Sequence, residues 1–250
     1  MTAVNGEGTA EHSRSQRRYF ERASHRTLKP TGSPYLRRHV DLMCEFAEIG
    51  PGDRVLEVGC GLGRYTLLLA ERGVAVEGLD LSQQLLDELQ SYNAGRYRIP
   101  THALDIIDCP PEMNGAFDAV IGFFVLHHVH DLEACLAVMA RMVRPGGRVA
   151  FLEPNPANPL YYVQITLTPE MNWQGERGML RMRTREMFPA MEKAGLQELG
   201  FRRFGLFPPF VTNRALGAKL ESALEGVPLG PPARPFHLFG GRRPAAAAGV

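Results

Sequence analysis

The chain of 250 residues carries 28 basic and 27 acidic side chains, a formal net charge of +1, and 44% hydrophobic residues. That length suits one α/β domain with elaborations, and the even charge balance provides no field to draw nucleic acid, which is therefore not an expected partner. Its four cysteines, Cys44, Cys60, Cys109 and Cys135, show no C-x-x-C or zinc-type spacing, so reduced thiols, no metal and a cytoplasmic setting are expected.

In chain order, residues 1–15 are polar, with no apolar run of the secretory kind, and read as a flexible leader. Helical spacing follows at Gln16–Leu28 and Pro34–Ile49, divided by Lys29-Pro30-Thr31-Gly32. The basic run Arg14, Arg17, Arg18 and Arg22 reads as a solvated helix face. Beyond the turn Gly50-Pro51-Gly52-Asp53, strands are expected at Arg54–Val58, Ala75–Asp80, Thr101–Ala103, Ala116–Gly122, Gly147–Glu153, Leu196–Gly205 and Pro235–Gly240. Helices are expected at Gly63–Arg72, Ser82–Tyr92, Asp131–Val143 and Thr184–Ala194. Apolar neighbours such as Val55-Leu56 and Val120-Ile121 suit a sheet covered on both faces, and the alternation predicts an open, doubly wound parallel sheet. The longest apolar run, Phe117 to Leu126, is too short to span a bilayer.

The segment "VLEVGCGLGRYT", Val55 to Thr66, places Gly59, Gly61 and Gly63 directly after the first strand. A turn without Cβ atoms lets a ligand touch the main chain, which points to a nucleotide-like molecule. The spacing is G-x-G-x-G, and Arg64 stands where the dinucleotide fingerprint has its third glycine. Glu57 sits awkwardly for a pyrophosphate and well for a cationic group. Asp80 ends the second strand, where a carboxylate can accept from two ribose hydroxyls, and Asp105 follows the third, where it can accept from an exocyclic amine. An NAD-linked oxidoreductase would share the strand, turn and acid, and a non-catalytic cofactor-binding partner protein would share all of it.

Taken in order, "VLEVGCGLGRYT", "VEGLDLS", "ALDIID", "FDAVIGFFVLHHV" and "RPGGRVAFLEPNP" resemble the class I S-adenosylmethionine-dependent methyltransferases, in particular the small-molecule branch that includes quinone-biosynthesis enzymes. The resemblance covers about Gly50 to Asn155. It implies a Rossmann-like seven-stranded sheet, mostly parallel with an antiparallel last strand and helices on both faces. It also implies a helical lid over 16–49, an S-adenosylmethionine-binding core over 50–155, and a substrate-cap segment with closing strands over 156–250. Glu57 and the main chain of Gly59, Cys60 and Gly61 would hold the methionine end. Asp80 would bind the ribose, Leu81 would pack on the adenine, and Asp105 with the Ile106 amide would read its edge. Gly122 and Phe123 would line the sulfonium side, with Tyr19 on the lid. One extra residue in the third motif leaves Asp108 as an alternative to Asp105.

Methyl transfer from a sulfonium to a hydroxyl needs an acceptor for the proton, and His128, Glu153 and His25 are the candidates, with His39 a further one. Aromatic and methionine residues over 160–182 and Phe204, Phe207 and Phe210 suggest an apolar or aromatic small-molecule acceptor, with O-methylation favoured over N- or C-methylation. The expected assembly is a monomer or a homodimer.

Overall fold

The computed structural model describes residues 3–22, 29–168 and 171–245. Strands β1 (Arg54–Val58), β2 (Ala75–Asp80), β3 (Thr101–Ala103), β4 (Phe117–Phe123), β5 (Val143–Pro154), β6 (Gln197–Phe204) and β7 (Phe236–Arg242) form one sheet. Their order is β3-β2-β1-β4-β5-β7-β6, and β7 alone runs antiparallel, paired with both β5 and β6. This is the sheet that the motifs imply.

Ten α-helices are described: α1 (Ala3–Arg22), α2 (Pro34–Ala47), α3 (Thr66–Glu71), α4 (Gln83–Asn93), α5 (Leu132–Met142), α6 (Pro159–Leu167), α7 (Trp173–Glu176), α8 (Thr184–Lys193), α9 (Pro209–Thr212) and α10 (Ala215–Leu224). Their starts follow from local chemistry. Ser33 accepts from the Leu36 amide before Pro34 opens α2, Ser82 caps α4, and Asp131 accepts from the Ala134 amide at the head of α5.

Consecutive strand residues point to opposite faces, and each face is covered. Val55 joins a core with Leu36 and Val40 of α2 and Leu86 of α4, whereas Leu56 joins Leu136 of α5 and Met187 of α8 on the other side. Each such fully buried side chain contributes about 1.5–3 kcal/mol, so the double cover makes β1 and β4 a rigid base for whatever lies at their ends.

Two boundaries differ from expectation. Residues 3–15, expected as a leader, are the first part of α1, where His12 Nε2 bonds the His128 carbonyl at 2.7 Å and the Ser13 hydroxyl donates to Asp105. β5 begins at Val143 instead of Gly147, because Val143 pairs with Phe117 across an irregular register before the regular ladder resumes at Ala119. The chain reverses its order of strand placement between β1 and β4, so their carboxyl ends flank a crevice where open α/β sheets bind ligands. Among the described residues, no helix is long and apolar enough to cross a membrane.

Candidate active site

At that crevice lies a cavity of about 940 Å³, lined by the loop after β1, the ends of β2 and β4, α1 and parts of α6 and α9. Gly59 has φ of 69° and a Cβ there would come within 2.4 Å of Val125 Cγ2. Both the backbone conformation and the packing exclude a larger residue. Gly61, at φ 49°, has nothing within 4 Å of a Cβ position, so the missing side chain leaves main chain open to the cavity.

Three carboxylates from successive strand ends line this cavity: Glu57, Asp80 and Asp105. Glu57 is 1% exposed and accepts from the Thr66 hydroxyl at 2.7 Å. Burial raises its pKa to about 8, with nearby Asp80 adding to the rise and the Thr66 bond opposing it. Asp80 accepts from the amides of Gly61 at 2.9 Å and Ser82 at 3.0 Å. Burial still outweighs these bonds and keeps its pKa above the ordinary carboxylate range. Asp105 accepts from Ser13 and from the Ile107 amide. The alternative, Asp108, is exposed and does not line the cavity.

The histidine pair after β4 divides into two different environments. His127 Nδ1 lies 2.6 Å from Glu153 Oε2, and its Nε2 lies 3.3 Å from Glu176 Oε2. Although burial disfavours the imidazolium, the two carboxylates raise its pKa to about 9. Tyr161 donates to Glu176 at 2.8 Å, and the imidazolium holds that carboxyl down at about 2 against the pull of burial. His128, by contrast, is driven down to about 3 by burial and by its charged neighbour, and its Nδ1 is shielded from solvent without a hydrogen-bond partner. His127, His128 and Glu176 bring ligand-type atoms within 4.8 Å of one another. Both ring nitrogens of His127 are nevertheless engaged by carboxylates, so the cluster satisfies its own charges.

Two expected site residues have other work. Glu153 is fully buried, outside the cavity lining, and accepts from the amides of Val125 and Leu126 as well as from His127. Its carboxylate braces the turn after β4 and does not face the cleft. Gly122 does not line the cavity either; a Cβ there would meet Val125 Cγ1 at 2.5 Å and Phe151 Cδ1 at 2.9 Å. The glycine lets that same turn fold back on the sheet.

Beyond the strand tips the cavity continues into an aromatic chamber. Tyr65 stacks on Phe123 with centroids 4.0 Å apart, and His39 contacts Tyr35, Phe124 and Phe236 at 4.4, 6.0 and 4.9 Å. Phe124 has φ of 58°, a strained conformation held by the packing around it. Burial and the guanidinium of Arg64 hold His39 near 3, so its ring is neutral and shares a 3.1 Å hydrogen bond with the Tyr65 hydroxyl. Helix α1 closes one wall: Phe20 sits edge-on to His128 at 5.1 Å, and the Ser82 hydroxyl donates to Glu21 at 2.8 Å.

Residues 56–151 match the methyltransferase domain family. The ubiquinone biosynthesis O-methyltransferase of Dechloromonas aromatica (strain RCB) is 36% identical over 121 residues, which cover 48% of this chain and 51% of that protein. Residues 56–151 thus carry a methyltransferase domain. The demethylmenaquinone methyltransferase of Tropheryma whipplei (strain Twist) is 33% identical over 111 residues, 44% of this chain and 45% of that one. The chain thus spans about half the length of the curated relatives it matches. A putative methyltransferase of Bacillus halodurans C-125 shares the fold at a TM-score of 0.58 and 16% identity, over 83% of this chain and 100% of that one. The [4+2]-cyclase SpnF shares it at 0.60 and 19%, over 84% and 82%. A cyclase among the neighbours means that the fold by itself does not decide the reaction.

Tyr19, Glu57, Gly59, Cys60, Gly61, Asp80, Leu81, Asp105, Ile106, Phe123 and His128 line one cavity. His25 lies outside the described residues. The sequence reasoning passed over Arg64, Tyr161 and Glu176. Glu176 had one signal, an acidic residue in the otherwise apolar stretch from Met171 to Met182, and Arg64 had its place beside the glycines.

Proposed function

We propose that this protein transfers a methyl group from S-adenosylmethionine to an oxygen of a small aromatic or apolar metabolite. The observation that carries this reading is the buried pair Glu57 and Asp80 beside the open main chain of Gly61. Both carboxyls have pKa values raised by burial, because the Thr66 hydroxyl at Glu57 and the Gly61 and Ser82 amides at Asp80 do not offset the loss of water. An amino-acid ammonium at Glu57 and ribose hydroxyls at Asp80 supply what is missing.

When bound, S-adenosylmethionine supplies an electrophilic methyl on a sulfonium. Asp105 and the Ile106 amide would take the adenine edge, with Leu81 packed against the ring. Tyr35, Tyr65, Phe124 and Phe236 would hold an apolar acceptor and exclude water from it. His128 offers the one cavity-lining imidazole nitrogen seen buried and unpaired among the described residues. At a pKa of about 3 it takes a proton from a hydroxyl only uphill. The rate would therefore rest on alignment and dehydration, which supply about 7–11 kcal/mol in well-oriented systems. The N-terminal helix would act as the lid through Ser13, Phe20 and Glu21. Relatives named as O-methyltransferases of ubiquinone biosynthesis support oxygen as the methyl acceptor atom.

Calorimetric titration with S-adenosylhomocysteine and with NADH tests the cofactor: affinity for the first and none for the second is expected, and the reverse refutes the reading. Incubating the protein with isotopically labelled donor and a metabolite extract, then locating the label by mass spectrometry, tests the transfer. Label on an apolar or aromatic hydroxyl compound is the expected result.

A further inference from the structure

Arg64 follows the glycine loop and lines the cavity. Its guanidinium lies 5.6 Å from the centroid of the Tyr65 ring. No carboxylate of the described residues comes within ion-pair distance of it, and its Nε is buried without a hydrogen-bond partner. Several other buried or half-buried arginines of the described chain have partners. Arg72 pairs with Asp41, and Arg148 pairs with Glu48. Arg234 also has an unpaired atom, but its Nη2 is taken up by the carbonyls of Leu224, Glu225 and Val227.

The direction in which Arg64 acts is given by its neighbours. Its charge is felt by Tyr35, His39 and Tyr65, all members of the aromatic chamber. His39 and Tyr35 come from α2, on the side of the cavity away from Asp105. A half-buried guanidinium whose Nε is shielded from water without a partner and which has no counter-ion is favoured by an anion that joins it, and a planar carboxylate matches its donor fork.

We propose that Arg64 is a specificity-determining residue that receives a carboxylate borne by the aromatic methyl acceptor. The inference rests on the methyl-transfer reading above and narrows the acceptor to aromatic acids. A carboxylate could also reach Arg64 from the amino-acid end of the methyl donor, so the test separates the two sources.

The probes are 2-naphthoate and 2-naphthamide, which match in shape and differ in charge, titrated calorimetrically into the full chain saturated with S-adenosylhomocysteine. The native protein is expected to bind the acid at least about tenfold more tightly than the amide. Arg64→Met removes that preference, Arg64→Lys keeps part of it, and S-adenosylhomocysteine affinity stays within about twofold in both. Unchanged thermal melting of Arg64→Lys guards against misfolding as the cause. Equal binding of the two probes by the native protein, or binding of neither, overturns the proposal. So does a tenfold loss of S-adenosylhomocysteine affinity in Arg64→Met with 5′-methylthioadenosine affinity unchanged, since that assigns Arg64 to the donor's carboxylate. Failure of the native protein to bind S-adenosylhomocysteine at all instead refutes the methyl-transfer reading itself.

Discussion

As the proposed partner of the donor's ammonium, Glu57 should make cofactor binding depend on pH in a direction that its surroundings dictate. Burial holds its pKa at about 8, with Thr66 of α3 donating to it and Asp80 of β2 as the nearby negative charge. In the free protein near neutral pH the carboxyl is therefore mostly protonated. An ammonium binds the ionised form, so binding must release the proton, and affinity rises with pH toward 8. The ligand's amine stays charged over this range, so the ionised fraction of a carboxyl with a pKa of about 8, and with it the affinity, grows more than roughly tenfold between about pH 6 and pH 7.5. Calorimetric titration with S-adenosylhomocysteine, which retains the amino-acid end, across that range and in buffers of different ionisation enthalpy reads both affinity and proton release. Glu57→Gln should weaken binding and flatten the profile. A native profile that is flat or falls between those two pH values would refute the argument that an ammonium meets Glu57.

Asp80→Ala removes two prospective charge-assisted ribose contacts at about 1.5–3 kcal/mol each, so S-adenosylhomocysteine affinity should drop at least tenfold by calorimetry; unchanged affinity removes Asp80 from the site. Gly59→Ala strains a positive φ and drives a Cβ into Val125, so chemical denaturation should show a loss of about 1–3 kcal/mol. Gly61→Ala, whose Cβ meets no atom, should lose less stability and more cofactor affinity; equal effects at the two glycines contradict their assigned roles. His128→Ala should lower kcat by less than about tenfold, because a base held near 3 contributes less than the usual 10²–10⁴. A loss of a thousandfold or more would show that His128 is tuned far closer to neutrality in the working complex.

The sheet and the open glycine turn at its crevice were legible because their residues answer to local rules. Val55-Leu56 and Val120-Ile121 announce strands buried on both faces, and glycines between a strand and a helix announce an open main chain. The aromatic end of the cavity and the segment beside it were not legible. Helix α6 is apolar around most of its circumference and so lacks helical periodicity; only Asn158 and Pro159, a cap and a first-turn proline, marked its start. Glu153 looked like a cleft residue because it ends β5, yet strand position fixes only where the Cα sits. Which amides a carboxylate then meets depends on how the turn after β4 packs, and that turn is shaped by Gly122 and Val125 together.

The same long-range dependence governs the stability carried by His127. Its folded pKa of about 9 lies above the ordinary value of 6.5, so its contribution is complete below about pH 6.5 and disappears as pH rises through 9. Glu176, held at about 2 against an ordinary 4.5, contributes fully above about pH 4.5 and loses its contribution as pH falls through 2. The two together favour the folded state most between these limits, roughly pH 4.5 to 6.5. Glu153→Ala leaves the amides of Val125 and Leu126 without their acceptor and His127 with one carboxylate instead of two. Breaking a buried pair of this kind costs about 3–5 kcal/mol. Denaturant melts at pH 5.5 and 8.5 should show the native chain more stable at the lower pH, and His127→Asn should narrow that difference. If His127→Asn leaves the difference intact, the alkaline loss belongs to another group, and the imidazolium is not what holds α7 against the turn after β4.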